Sequence, residues 1–563
     1  MPMAVQSIHP NITQAVSFDD IPGQLPEGII PEDADYNVVA DNVISQLNNL
    51  KSNDFTKDLC KEKKVSRFER TSSTPRFSGL NWIDVDFKFE TQHQDLKAPA
   101  AGIASCLQCP EGVWRIWMLR TWLECFEGYG HPDEAQAPIS NQPGDILGAA
   151  IIGGGQAGLA VAGRLQALGV SYVVFEKNER VGDIWRKRYD SLRVHTPKEY
   201  GPMPLGWRFP AEEDIMLPAK RMGDGHEAWA EEHNVNVRTG TEVVEARYSE
   251  TDHIWTIKTR NSHREETFHT KNLVLAIGPG LTQPVSPPWA SPSNINASGF
   301  QGDIFHASRW KSATPWTNKR GIVIGVANTG HDIGEDMANA GMETTMVQRG
   351  PTFVLPVEWL HAAFAPDYHV GKLTRVADQE QVSIPNKIAR DMTNGVVQSL
   401  IKANSARFDA LEDVGFKVDR EGDLFSCLFE RFGGHYIDHG GSARIAKGEI
   451  KVQSKPVKGL YEEGLEFEDG SRIPADLIVL ATGFSHDFRA QAAKLIGTEA
   501  ASKMDEFGGL DKEGEMRGFA RLSGHPNLYY HGFEVRASRY YSRFIGLAIQ
   551  ADVLGRPLQP YMD

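Results

Sequence analysis

The feature that most constrains this chain is a repeated one: two glycine-rich loops, each set between an apolar run and a stretch with helical spacing. The first is Gly153-Gly154-Gly155-Gln156-Ala157-Gly158, preceded by Ala149-Ala150-Ile151-Ile152 and followed by Val161, Leu165 and Leu168. The second is Gly325-Val326-Ala327-Asn328-Thr329-Gly330, preceded by Ile322-Val323-Ile324 and followed by Ile333, Met337 and Ala340. Strand, tight turn and helix in that order make a βαβ unit. Glycines in such a turn let backbone N–H groups approach a pyrophosphate, which rests at the positive end of the helix dipole. Two such units predict an α/β fold with two Rossmann-like dinucleotide-binding domains.

The strands after the two loops end differently. Eighteen residues past Gly158, Tyr172-Val173-Val174-Phe175-Glu176 ends in a carboxylate placed to accept hydrogen bonds from a ribose 2′-OH. The strand after the second loop ends in Gln348-Arg349. A carboxylate repels a 2′-phosphate, whereas a guanidinium binds it through charge-assisted hydrogen bonds, so the first unit suits FAD and the second NADPH. Ala327 stands where the pattern expects a middle glycine, and a methyl there limits the approach of a pyrophosphate. The runs Asp476 to Gly483 and Leu273 to Gly278 each read as a buried strand entering a turn of small residues, where the chain crosses between domains. The cofactor-binding candidates are therefore Gly153, Gly155, Gly158 and Glu176 in the first unit, Gly325, Asn328, Thr329, Gly330 and Arg349 in the second, and Thr482 and Gly483 at the crossing.

Between the loops stands Phe300-x-Gly302-x-x-x-His306-x-x-x-Trp310, preceded by Gly182-Asp183-Ile184-Trp185-Arg186, by Arg188-Tyr189-Asp190-Ser191-Leu192 and by His195-Thr196-Pro197-Lys198. Together with the loops and the Ala481-Thr482-Gly483 turn, this ordered set resembles the class B flavin-dependent monooxygenases over roughly residues 145 to 555. That family includes flavin-containing monooxygenases, plant indole-pyruvate monooxygenases and Baeyer–Villiger enzymes. The resemblance implies hydride transfer from NADPH to FAD, then reaction of reduced flavin with O2 to a flavin peroxide that inserts one oxygen into a small organic substrate. It also implies that the His306 segment lies at the joint between domains and couples NADPH binding to shielding of the peroxide from water.

On that resemblance His306 is a positioning or linker residue, with a solvent-facing loop histidine as the plain alternative. His195 occupies a place near the flavin edge where animal-type members carry Asn, and would hydrogen-bond an oxygen of peroxide or substrate; its alternative is a structural turn histidine before Thr196-Pro197. Trp185 packs along the flavin region, and Phe300 and Trp310 are packing anchors. Tyr529, Tyr530, Arg539, Tyr540, Ser542 and Arg543 form a cluster that borders the isoalloxazine or caps a helix.

Three functions stay open at this point. The first is oxygenation of an amine, thioether or oxo-acid. The second is Baeyer–Villiger conversion of a ketone to an ester or lactone; Trp310 favours it, while Lys311 and the lack of a Lys-Arg pair in Arg431-Phe432-Gly433-Gly434-His435-Tyr436 weigh against it. The third is a flavin-binding protein or NADPH oxidase without substrate oxygenation, supported only by Ala327 and Asp183.

Composition agrees with these readings without producing them. A chain of 563 residues is long enough for two or three domains. A net charge of −15 argues against nucleic acid or an anionic membrane as partner. No apolar run reaches membrane-span length and Met1 to Gln6 lack a secretory pattern, so a cytoplasmic protein is expected. Five cysteines make no disulfide framework, and Cys106-Leu107-Gln108-Cys109 has no second pair to complete a zinc site, so no metal is expected. No cysteine stands between Cys125 and Cys427, where a flavin disulfide reductase carries its redox pair.

The expected division is an N-terminal extension over 1–144, FAD-binding domain over 145–285, NADPH-binding domain over 286–450 and a return to the FAD domain over 451–563. Trp82 to Phe89 and Trp114 to Arg120 read as strands of a small α+β N-terminal domain, and its resemblance to extensions of fungal family members suggests a nuclear-transport-factor-like fold. Pro279, Pro284, Pro287, Pro288 and Pro292 make a semi-rigid connector. The pattern from Gln379 to Leu411 reads as helix that covers the active site.

Overall fold

The computed structural model describes residues 15–26, 30–31, 33–50, 63–77, 81–139, 144–278 and 283–558. Met1 to Gln6, Pro143 of the loop before the first unit and Pro279 of the connector lie outside the described residues.

Near the N-terminus a helix, Tyr36–Leu50, lies on an antiparallel sheet of four strands in sequential order: Glu69–Phe77, Asn81–His93, Leu96–Gln108 and Trp114–Leu123. Val39, Val43 and Leu47 recur every fourth residue and form the buried stripe of the helix. They meet Ile83, Val85 and Phe87, which recur every second residue and so share one face of their strand. Cys106 belongs to this core; its thiol donates to the Ile83 carbonyl, and burial pushes it up to about 12. Its sulfur serves packing.

The first large sheet is built around the strand before the first loop. Val237–Arg238, Tyr172–Phe175, Ile146–Ile152 and the end of Glu265–Leu275 run parallel, with Leu528–Tyr530 parallel on the far side, while Ile254–Arg260 and Glu242–Ser249 continue the sheet antiparallel. The parallel strands are near-continuous apolar runs because both faces are covered. The loop helix Gln156–Ala167 and the C-terminal helix Val535–Val553 pack together on this sheet.

The second large sheet has five parallel strands in the order Asp303–His306, Leu477–Leu480, Arg320–Ile324, Glu343–Val347 and Ile450–Gln453. This corrects the boundary expected at 450: Ile450–Gln453 and Leu477–Leu480 complete the second sheet, and the chain returns to the first only after Ala481. A strand entering a small-residue turn looks the same from either side of a boundary; only its pairing partner decides. The stretch from Gln379 to Leu411 is not one helix but parts of three, Thr374–Val382, Asn386–Ala403 and Ser405–Glu412. The first break falls at Pro385, which cannot donate within a helix. Ile384 and Ile388 from this region pack against Met118 of the N-terminal sheet. Among the described residues no helix is long and apolar enough to cross a membrane.

Candidate active site

The first loop departs from its strand at Gly153, whose φ of +109° is a conformation that L side chains rarely adopt. Its N–H donates to the Phe175 carbonyl at 2.9 Å. A Cβ there would lie 2.3 Å from the Ala276 carbonyl oxygen, and one on Gly158 only 1.9 Å from that of Gly153. These two glycines are required by the protein's own packing. Gly155 is different: it caps the helix Gln156–Ala167 in ordinary extended conformation, and a Cβ on it would meet nothing within 4 Å. No side chain caps this helix end and no acid stands in its first turn. An open space above free amides at a helix N-terminus fits a dinucleotide pyrophosphate. Glu176, buried beside the loop, accepts from the N–H of Gly154 and of Asn178, each at 2.8 Å.

The second loop repeats the geometry. Gly325 has φ +110°, its N–H donates to Val347 at 2.9 Å, and a Cβ on it would lie 2.4 Å from the Ala481 carbonyl oxygen. A Cβ on Gly330 would lie 2.1 Å from the Gly325 carbonyl oxygen. Ala327 caps the helix Asn328–Asn339 with φ −83° and ψ −175°, against −80° and −176° at Gly155. Asn328 accepts from the Ile437 N–H at 2.8 Å, and Thr329 is a hydrogen-bonding neighbour of Tyr189. Arg349 is exposed at the end of its strand and makes no hydrogen bond or ion pair to the described residues. A 2′-phosphate in this unit therefore has a guanidinium to meet.

The two passages between the units run side by side. Pro284 and Phe484 form an antiparallel bridge, Val285 N–H donates to Gly483 at 3.0 Å, and the Thr482 hydroxyl donates to Val285. His306, at the end of its strand, reaches into this crossing. Its Nδ1 accepts from the Ser308 N–H at 3.1 Å and its Nε2 lies 2.9 Å from the Gly483 carbonyl. The first contact fixes the tautomer: Nε2 carries the proton and donates it. Burial pulls this imidazole below its ordinary pKa, opposed by the bond to Gly483. Both nitrogens are engaged, so His306 is not solvent-facing and has no free nitrogen for proton transfer.

A second constellation lies where the first unit meets the second. His195 Nε2 stands 3.6 Å from Asp332 Oδ1, and His439 Nε2 3.2 Å from the same oxygen. Tyr189 donates to the other oxygen, Oδ2, at 2.5 Å. Burial opposes ionisation of Asp332, yet the neighbouring imidazoles and the Tyr189 hydroxyl hold its carboxyl well below the usual range. The hydrogen bond with Asp332 raises the His439 pKa, and burial followed by the charge of Asp332 raises that of Tyr189. His331 stacks on Tyr436 with ring centres 3.4 Å apart, and burial lowers its pKa to about 3. The backbone of His195 is held by His361, whose Nε2 lies 3.0 Å from the His195 carbonyl.

Trp185, on the short helix Asp183–Arg186, packs between the clusters of Tyr189 and Met222, with its indole nitrogen buried and unpartnered. Trp310 is buried and donates to Asp336 at 3.1 Å; Phe300 packs partly buried on the other face of the second sheet. In the expected C-terminal cluster the two arginines are paired within the protein. Arg539 pairs bidentately with Asp378 at 2.7 Å, and Arg543 pairs with Glu124 at 2.9 Å and Asp133 at 3.0 Å, all buried or nearly so. These residues join the C-terminal helix to the helical segment and to the N-terminal part; the cap of that helix is Glu534. Asp332 and His439 went unread as site residues because nothing local marks them. Asp332 lies one residue beyond His331 on the second loop helix, and that helix position was the available signal.

Residues 150–386 match the family described as pyridine nucleotide-disulphide oxidoreductase. The chain is 27% identical over 345 residues to the probable indole-3-pyruvate monooxygenase YUCCA9 of Arabidopsis thaliana, spanning 60% of this chain and 75% of that protein. It is 28% identical over 365 residues to the indole-3-pyruvate monooxygenase YUCCA1 of Oryza sativa subsp. japonica, spanning 64% and 82%. The solved structure of oxidized steroid monooxygenase bound to NADP shares the fold with a TM-score of 0.50 at 18% identity, over 73% of this chain and 86% of that one. Fold and paired loops define a flavoprotein with two dinucleotide-binding units. In sequence the chain is similar to flavin-dependent monooxygenases, and it is an NADPH-dependent oxidoreductase.

Proposed function

We propose that this monooxygenase inserts one O2-derived oxygen into a small amine, thioether or oxo-acid, with the 2-oxo-acid class favoured. The observation that carries this reading is the pairing of a loop backed by Glu176 with a loop backed by the free Arg349. The oxo-acid preference rests on the indole-3-pyruvate monooxygenases among its relatives. When bound, FAD takes hydride from NADPH and activates O2 for transfer of one oxygen atom. The chain's own tasks are binding and orientation. The amides of 153–158 and 325–330 receive the two pyrophosphates, Glu176 accepts from the FAD ribose, and Arg349 binds the 2′-phosphate. His306, through Gly483, holds the crossing that Thr482 also braces, and so keeps the two cofactor units in register and water out. His195 presents an imidazole from the first unit toward the second and hydrogen-bonds an oxygen of the reacting centre.

The protein acts in the cytoplasm without nucleic-acid partners, as its charge of −15 suggests. The deciding experiment is NADPH consumption with a mixed panel of 2-oxo acids, amines, thioethers and ketones, with H2O2 measured and products identified by mass spectrometry. Conversion confined to ketones would instead mean Baeyer–Villiger chemistry. NADPH converted wholly to H2O2 would mean an oxidase.

A further inference from the structure

Beyond that reaction, we propose that His195, Asp332 and His439 form a binding site for one divalent transition-metal ion of the zinc type. The ligand atoms are Nε2 of His195, Oδ1 of Asp332 and Nε2 of His439, and all lie within 4.8 Å of one another. Asp332 Oδ1 stands 3.6 Å from the first nitrogen and 3.2 Å from the second. Two ligand atoms each about 2.1 Å from a tetrahedral ion are separated by roughly 3.4 Å, so both spacings suit a shared cation. The longer one does not suit a hydrogen bond. It leaves His195 Nε2 buried without a hydrogen bond, in a side chain only 9% exposed, an arrangement that is costly unless something else engages the nitrogen.

The chemistry of the donors selects the ion. Two imidazoles and one carboxylate suit zinc, cobalt or nickel rather than calcium or magnesium, which prefer oxygen throughout. The surroundings complete the set. Tyr189 donates to Asp332 Oδ2 at 2.5 Å and so directs Oδ1 to the shared point, while His439 Nδ1 faces Glu335 Oε2 at 4.0 Å. A carboxylate behind a ligating histidine orients the ring and raises its basicity. The His439 side chain is 21% exposed and provides an entry path.

A second group, Glu124, His131 and Asp133, also has its ligand atoms close together. There the charge is already met: Arg543 lies 2.9 Å from Glu124 and 3.0 Å from Asp133, and Arg164 pairs with Asp133 at 2.5 Å. Among the described residues Asp332 forms ion pairs with histidines only. A cation is repelled from the Glu124 group by these arginines and accepted by the Asp332 group. Zinc is redox-inert and so compatible with flavin chemistry nearby. Bound to His195 Nε2, it also leaves the ring proton on Nδ1, making that atom a permanent donor.

The test uses untagged FAD-loaded protein, cleared of metal by chelator and dialysis, titrated with ZnCl2 by calorimetry and with CoCl2 by visible absorption. One equivalent binds, with the absorption of tetrahedral cobalt, and His439→Ala weakens binding by about 100-fold or more. Glu124→Gln leaves the affinity unchanged. Asp332→Asn gives the same loss as His439→Ala where it folds. Should it fail to fold because Tyr189 loses its acceptor, His439→Ala at the partly exposed position decides alone, with FAD content and circular dichroism confirming its fold. No stoichiometric uptake, or uptake that survives His439→Ala, overturns the site. Neither readout depends on monooxygenase activity.

Discussion

The two loops have nearly one backbone and two chemistries. Gly153 and Gly325 share φ near +110°, each packs its α-carbon against the carbonyl of a crossing alanine, Ala276 or Ala481, and Gly158 and Gly330 each close on their own loop's first glycine. Gly155 and Ala327 have the same extended conformation within a few degrees. The middle position is therefore not a conformational requirement. On the proposed reading it is where a pyrophosphate comes closest, and there one unit has a hydrogen and the other a methyl. The second difference lies at the strand ends: Glu176 is buried and holds its loop, whereas Arg349 is exposed and holds none of the described residues. On the proposed reading the backbone provides for a dinucleotide, and these side chains select which one.

The strongest way to break the comparison is at Gly155. Gly155→Val meets no protein atom at its Cβ, so the protein should fold yet purify without yellow colour and fail to take up FAD. Gly158→Ala should instead lose folded protein, because its methyl would clash with Gly153. If Gly155→Val retains stoichiometric FAD, measured by absorbance after gel filtration, the first loop does not hold the pyrophosphate.

Next in size is Arg349→Ala, which should remove the proposed charge-assisted contact, worth about 1.5–3 kcal/mol or roughly tenfold or more in KM for NADPH. KM for NADH should hardly move. Equal changes for the two nucleotides in steady-state assays would show that Arg349 does not read the 2′-phosphate.

A smaller effect tests the second crossing, which the His306 side chain holds at Gly483. His306→Ala should still reduce FAD but release a few-fold more H2O2 per NADPH, as shielding from water is lost. Burial lowers the His306 pKa below its ordinary value of about 6.5, so the neutral ring that accepts from Ser308 is favoured above that pH. Its contribution is present above the unfolded value and lost as pH falls through and below it. Peroxide leakage in the unmodified protein should therefore stay low as pH falls to 6.5 and rise only on acidification below it, while His306→Ala stays flat; parallel profiles would remove His306 from this role.

The smallest change is expected from Ala327→Gly. With the backbone already extended, removing one methyl should lower KM for NADPH by no more than about threefold, with no shift in thermal midpoint beyond a degree or two. A larger loss of stability would mean that the methyl is needed for packing.

Local signals carried much of this. Both loops, their strands and helices, and the opposite strand ends were legible because glycine spacing and apolar periodicity are properties of neighbouring residues. So was His306, as part of a spaced fingerprint. What escaped depends on contacts between distant segments. Ile450–Gln453 has no feature that assigns it to one sheet or the other; its pairing with Glu343–Val347 does. Arg539 gives no sign that its partner is Asp378, 161 residues away. Likewise His195, Asp332 and His439 come from a turn, a helix and a strand end. Each is unremarkable alone, and only the packing of the two units brings their ligand atoms together.

The lateness of the strand Leu528–Tyr530 and the helix Val535–Val553 has a consequence for biosynthesis. The second sheet takes all its strands from 303 to 480 and can close as soon as that stretch has left the ribosome. The first cannot: its strand Glu265–Leu275 waits for Leu528–Tyr530, and Arg164 of its loop helix for Ser542, 378 residues later. Of the two large sheets the one begun first is thus finished last, and any dinucleotide capture at its loop waits until residues 528–553 have been made. Premature termination before residue 528 leaves a complete second sheet beside a first sheet without its strand Leu528–Tyr530 and the helix Val535–Val553, the kind of exposed edge that aggregates or is degraded.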